Sequence, residues 1–323
     1  MWGWDPTPGI VSVWAEPDGR VIVWRRVAGT LVREDLRFRP WLVAANADAA
    51  RAAGCTVREL EGPGALRFVV RADDVRILLR LRRDLGEDVL LLPAEEQYLV
   101  ASGRTYFKDL AFDDLRRVQL DLETTGLDAE RDRIFLVAFR DPDGNTEILE
   151  DPDEAALIAR TLDRIRVADP DVIENHNLHG FDLPFLERRA RTLRVPLALG
   201  RAGSPGLRAR PARRGVRDDD SERRIRFTVP GRELIDTMDA VGRHDFATRE
   251  LPGHGLKAVA RHFGLARDER EQIPGARIHD VYLADPDRVR RYAADDVAEV
   301  AGLARLLGGA TFALATMAPR RYE

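Results

Sequence analysis

The sequence predicts an α/β fold in which a mixed β-sheet flanked by helices, residues 113–323, follows a smaller α+β domain, residues 1–112. Three observations carry this. Residues 118–123 alternate, with Val118, Leu120 and Leu122 apolar against Gln119, Asp121 and Glu123, the period of a strand with one buried face. Ile134 to Phe139 is a continuous apolar run, suited to a strand buried on both faces. Strand patterns then alternate with helical ones to the end of the chain, which fits a sheet with helices packed on its faces.

The bounds are consistent with two domains. At 323 residues there is ample surface for more than one core. A third of the residues are charged, yet the formal net charge is -4, so affinity for nucleic acid must come from local patches. The lone Cys55 excludes an internal disulfide and fits a reducing compartment. The start, Met1-Trp2-Gly3-Trp4-Asp5-Pro6, has neither a basic nor an apolar leader segment, and no apolar run approaches membrane-spanning length. The expectation is a soluble, cytoplasmic protein with no membrane partner.

In the first domain, Ile10 to Trp14 and Val21 to Val27 read as strands around the turn Pro17-Asp18-Gly19. Phe38 to Ala44 is a further apolar run. Asn46 is a natural N-cap for a short Ala-rich helix that Gly54 stops. Leu66 to Val70 is strand-like, and Asp73 to Leu85 has helical spacing closed by Gly86. Trp14, Trp24 and Trp41 read as core or hairpin residues, with base stacking as the alternative.

In the second domain, the strand through Asp121 and Glu123 and the run Ile134 to Phe139 are followed by Thr146 to Leu149, a third strand after the turn Asp141-Pro142-Asp143-Gly144. A helix spans Ala155 to Ile165, and Asp171 to Glu174 returns to a strand. Helical spacing restarts at Phe185, with Asp182 at its entrance. Residues 200–226 are rich in Gly, Pro and Arg. A charge run of this kind is usually a solvated loop, yet its Arg bias makes it the candidate for gripping a phosphate backbone. Ile225 to Val229 reads as a strand and Leu234 to Val241 as a helix. Leu256, Val259, Ala260 and Phe263 mark another helix. Asp285 and Pro286 open the last one, with Val289, Ala293, Val297, Val300 and Ala304 on its core face. Tyr292 and Asp296, four residues apart, lie one above the other beside that stripe. Arg291 and Asp295 read as an exposed ion pair.

Four acids thus stand at strand faces or element ends: Asp121, Glu123, Asp182 and Asp296. Taken singly, Asp182 is a simple N-cap, Asp296 a solvated acid and Tyr292 a residue at the core edge. Taken in order, Asp-x-Glu on a strand, Asn177-x-x-x-Phe181-Asp182 opening a helix and Tyr292-x-x-x-Asp296 on a late helix resemble the DEDDy 3′–5′ exonucleases. More narrowly, they resemble the proofreading region of family B DNA polymerases. Phe38-Arg39-Pro40-Trp41, Gln97-Tyr98-Leu99 with Gly103-Arg104-Thr105-Tyr106-Phe107, and His254 to Tyr292 are similar to stretches of that family too. The related His-type nucleases carry a His five residues before the last Asp. Here that position is Arg291, so the site is of the Tyr type.

The resemblance implies an RNase H-like (DnaQ-like) exonuclease domain preceded by the family's N-terminal domain. It implies removal of nucleoside 5′-monophosphates from single-stranded or frayed 3′ ends of DNA. Carboxylates without Cys or His partners call for hard cations, Mg²⁺ or Mn²⁺, with two ions per site. By resemblance Asp121 bridges both, Glu123 and Asp296 complete the tighter position, Asp182 holds the outer ion, and Tyr292 positions the attacking water. Asn177, Phe181 and Thr125 are assigned to the terminal nucleotide, and Arg208, Arg210, Arg213 and Arg214 to the phosphate backbone. Palm, fingers and thumb motifs of the polymerases are not found, so the expectation is a polymerase-less relative or a fragment, with polymerase domains or a polymerase subunit as partners. The alternatives are an exonuclease that trims RNA or oligonucleotides and a catalytically silent DNA-binding module.

Overall fold

A computed structural model describes residues 4–202, 206–211 and 225–323. The chain forms two compact units, one of residues up to Leu110 together with Ala313–Tyr322, the other Ala111–Phe312 with Glu323. Residues 313–322, expected in the second domain, therefore belong to the first. Backbone and ring contacts tie them there: the Tyr106 amide donates to Ala315 O at 3.1 Å, and the Phe107 and Tyr322 rings meet edge to face at 4.8 Å.

The first unit opens with an antiparallel meander of β1 (Ile10–Ala15), β2 (Arg20–Val27) and β3 (Thr30–Arg37). A second sheet follows, built from β4 (Trp41–Ala44), β5 (Thr56–Glu59), β6 (Phe68–Arg71) and β7 (Val89–Leu90) in the order β5-β6-β4-β7. Helices α1 (Asp48–Ala52), α2 (Val75–Asp84) and α3 (Ala94–Ser102) complete it. Its core gathers Leu42, Ala44, Val70, Leu78 and Leu81. Trp14, Trp24 and Trp41 are all buried, so none offers a stacking face to a base.

The second unit is an α/β domain. Its strands are β8 (Arg117–Thr124), β9 (Ile134–Arg140), β10 (Thr146–Glu150), β11 (Val172–Asn175), the hairpin β12 (Arg208–Pro211) and β13 (Ile225–Thr228), and β14 (Glu233–Asp236). Its helices are α4 (Glu154–Ala168), α5 (Leu183–Thr192), α6 (Thr237–Thr248), α7 (Leu256–His262), α8 (Ile278–Ala284) and α9 (Pro286–Leu307); α10 (Gly309–Met317) ends the regular structure. The main sheet runs β10-β9-β8-β11-β14, antiparallel on the β9 side of β8 and parallel on the β11 side.

The alternation in β8 decides what lies where. Val118, Leu120 and Leu122 share one face with Leu157 and Ile158 of α4 and Leu183 and Leu186 of α5. Asp121 and Glu123 point the other way. Their register partners Ala138 and Leu136 on β9 pack against Val289, Tyr292, Ala293 and Val297 of α9. The sheet face that carries the acids is thus the face α9 covers. No single helix among the described residues is long and apolar enough to cross a membrane.

Candidate active site

The site is assembled at the end of the central strand. The β8–β9 register slips between Glu123 and Thr124, a bulge of the kind that re-aims side chains beside functional sites. Just beyond, Asp132 folds back so closely over Gly126 that a Cβ there would lie 2.4 Å from its carboxylate. Thr125 serves this loop: its hydroxyl donates to Asp132 Oδ1 at 3.3 Å and accepts from the Arg133 amide at 3.1 Å.

Asp121, Glu123 and Asp296 converge, each offering a carboxylate oxygen within 4.8 Å of the others. Asp182, outside that group of three, lies near enough to Asp121 to feel its charge. It ends a single π-helical turn, Leu178–Asp182, that leads directly into α5. The N-cap reading of Asp182 does not hold, because its backbone is already helical and its side chain makes no cap hydrogen bond. Instead Oδ1 accepts from the Leu122 amide at 3.3 Å, where β8 has run past the end of β11. The π-turn is held by Asp236 at the end of β14, which accepts from the Asn177 amide at 2.8 Å and the His179 amide at 3.2 Å. Asn177 has a left-handed backbone (φ 68°), and its side chain lies so close over Gly180 that a Cβ there would meet Oδ1 at 2.2 Å. Phe181 is partly buried on the core, its ring 5.4 Å from that of Phe185.

Sequence reasoning missed four side chains here. Asn175 Nδ2 donates to Asp121 Oδ1 at 2.9 Å. The Lys257 ammonium lies 2.5 Å from Asp296 Oδ2 and 4.5 Å from the centre of the Tyr292 ring. Arg270 donates to Asp296 Oδ1 and, at 2.7 Å, to Glu299 Oε1, with its guanidinium 4.6 Å from the same ring. Tyr292 is thereby placed between two cations and beside Asp296. Asp295, expected to pair with Arg291, pairs with Arg267 instead.

The electrostatics follow from burial. Burial, then the charge on Asp296, pushes Asp121 up to about 7. Burial, then Asp121 and Asp296, holds Glu123 well above the usual carboxylate range; burial and Asp121 do the same to Asp182. Asp296 is raised by burial against the opposing pull of Lys257 and Arg270. For Lys257, burial works against the charge, but Asp296, Tyr292 and Asp121 outweigh it and keep the ammonium protonated. Glu123 Oε1 is buried with no hydrogen-bond partner. Carboxylate oxygens that repel one another, one of them orphaned, fit a hard divalent cation and not a soft one.

The Arg-rich stretch is more structural than expected where it is described. Arg201 is buried against Asp169 and Asp171 at 2.7 and 2.9 Å, and Arg226 pairs with Asp239 at 2.5 Å. Arg208 and Arg210 lie on β12, and Arg210 pairs with Glu323. Arg213 and Arg214 lie outside the described residues.

The model of the RNase H superfamily matches residues 118–307, and the chain belongs to that superfamily. Its relatives narrow the kinship. DNA polymerase 2 of Aeropyrum pernix is 29% identical over 271 residues, 77% of this chain and 30% of that one. The DNA polymerase of Pyrococcus glycovorans is 26% identical over 220 residues, covering 64% and 26%, and the DNA polymerase delta catalytic subunit of Bos taurus is 33% identical over 133 residues, covering 40% and 11%. In fold, the chain is similar to the family B DNA polymerase of Pyrobaculum calidifontis (TM-score 0.75, 24% identity), over 98% of this chain and 47% of that one. The similarity to the N-terminal and exonuclease region of family B polymerases, read first from three short motifs, therefore extends along the chain. The chain spans less than a third of the length of these sequence relatives.

Proposed function

We propose that this protein is a metal-dependent 3′–5′ exonuclease acting on DNA, releasing nucleoside 5′-monophosphates. The observation that carries the reading is the convergence of Asp121, Glu123 and Asp296 within 4.8 Å, with Tyr292 one helical turn before Asp296. In the reaction a water oxygen bonds to the terminal phosphodiester phosphorus and the bond from phosphorus to the 3′ oxygen breaks. The water loses a proton, and the departing 3′ oxygen gains one. Two divalent cations, Mg²⁺ or Mn²⁺, supply when bound a lowered pKa for water and charge compensation at the leaving oxygen.

The chain's own groups have separate tasks. Asp121, Glu123, Asp182 and Asp296 hold the cations. Burial, then Asp296, raises the Tyr292 phenol above its usual range, so it acts as a neutral hydrogen-bonding group that orients the water and not as a base. Lys257 offsets negative charge beside Asp296 and Tyr292. Asn177, Phe181 and Thr125 shape the pocket for the terminal nucleotide, while Arg208, Arg210, Arg213 and Arg214 contact the backbone. A paired terminal base must unstack to enter, at a cost of about a few kcal/mol that is least for a mismatch. Frayed ends are therefore preferred.

The test is digestion of a 5′-labelled single strand with Mg²⁺, Mn²⁺ or EDTA. Metal-dependent laddering from the 3′ end is the expected result, and replacing Asp121 and Glu123 together by Ala should abolish it without unfolding the protein. Laddering retained in that double variant would refute the assignment. A parallel RNA strand separates the RNA-trimming alternative.

A further inference from the structure

Asn175 closes β11, the strand that runs parallel to β8 on one side and to β14 on the other. Its side chain is 1% exposed. The amide nitrogen donates to Asp121 Oδ1 at 2.9 Å and lies near enough to Asp182 to favour its charged form. Because both neighbours are acceptors, the amide cannot be turned round without setting oxygen against oxygen. The carbonyl oxygen Oδ1 is then fixed by default, and it is buried without a hydrogen-bond partner. A buried acceptor of this kind costs free energy unless something satisfies it. An amide carbonyl is also an accepted oxygen ligand for hard divalent cations.

We propose that Asn175 is a positioning residue of the metal centre. Its nitrogen ties Asp121 to Asp182, and its orphaned oxygen is an additional neutral acceptor for the cation or its hydration shell. This rests on the metal-dependent reading above. It explains why two like-charged carboxylates from different elements stay together beneath one amide.

The experiment titrates the full chain with Mn²⁺ in the absence of DNA, and measures melting in EDTA and in Mn²⁺, for wild type, Asn175→Ala, Asn175→Ser and Asn175→Asp. Asn175→Ala should weaken Mn²⁺ binding about 10- to 100-fold, the usual effect of losing an outer partner of a metal ligand. Asn175→Ser, which keeps an acceptor, should recover part of it. Asn175→Asp replaces the donor by a like charge, so its melting temperature should fall in EDTA and rise more on adding Mn²⁺ than that of wild type. Folded Ala and Ser variants with wild-type Mn²⁺ affinity would overturn the proposal, as would an Asp variant that loses equal stability with and without Mn²⁺. Wild type that binds no Mn²⁺ would instead remove the metal-dependent reading itself.

Discussion

Of the chain's 51 Lys and Arg residues only Lys108 and Lys257 are lysines, and Lys257 ends between Asp296 and Tyr292. In a protein that uses Arg almost everywhere, a Lys marks a place that needs a compact point charge. That rarity was a signal in the sequence, available without any structure. Lys257→Arg should therefore lower kcat on a single-stranded oligonucleotide about 10²-fold, as loss of a preorganised charge does; a wild-type kcat would remove the role. Tyr292→Phe should leave a reduced but measurable rate. Arg270 holds two buried acids, Asp296 and Glu299, and Arg270→Met leaves both without it. A loss of about 3–5 kcal/mol in denaturant unfolding is expected, with partial recovery in Arg270→Lys. These partners were not legible in the sequence, because an Arg 26 residues before its Asp shares no local period with it. The carboxylates themselves were legible because each belongs to a short motif with a fixed spacing.

At the scale of elements, the pattern served long segments and short strands such as β10 and β11, and missed others, β3 and β14 among them. The strand through Asp121, the run on β9 and the stripe on α9 all form as their spacing predicts. Leu234 to Val241, read as one helix, is instead the end of β14 followed by α6, which begins at Thr237. A four-residue strand is too short to display a period of two, and Asp236, the N-cap that marks the change, sat inside the expected helix. The polar, mostly exposed β3 escaped notice because neither of its faces is continuously apolar. The π-turn was equally invisible, since it differs from an α-turn only in its count of residues. Gly180→Ala tests that turn. A Cβ 2.2 Å from Asn177 Oδ1 must displace the Asn side chain or the turn. Mn²⁺ affinity and nucleotide release should both fall, with the melting temperature changed little, because the core beneath is untouched.

For the whole molecule, the buried acids set how stability responds to pH. A carboxylate whose folded pKa lies above its unfolded value contributes stability below the unfolded value, and loses it as pH rises through the folded one. For Asp121 that window runs from about 3.8 to about 7, and Glu123 and Asp182 are shifted the same way. His176 and His179, lowered by burial, act in the opposite direction, but only below about 6.5. Between pH 6.5 and 8 the raised carboxylates set the slope among the described groups with a shifted pKa. In EDTA the melting temperature should fall across that interval, and saturating Mn²⁺ should flatten the slope. A melting temperature that rises with pH in EDTA would contradict the buried, mutually repelling site. The mixed sheet with helices on its faces was legible in the sequence. The assignment of residues 313–322 to the first unit was not, since it depends on contacts such as Tyr106 with Ala315 that no local pattern encodes.

The π-turn before α5 has a consequence for how such a protein loses its activity in evolution. Removing one residue between Leu178 and Gly180 would restore an ordinary helical turn and rotate Asp182 by about 100° about the helix axis. Every acid would still be present in the sequence, in the same order, and the helix would be more regular than before. A descendant silenced this way would pass any inventory of its acids, and only the number of residues between Asn177 and Asp182 would betray it.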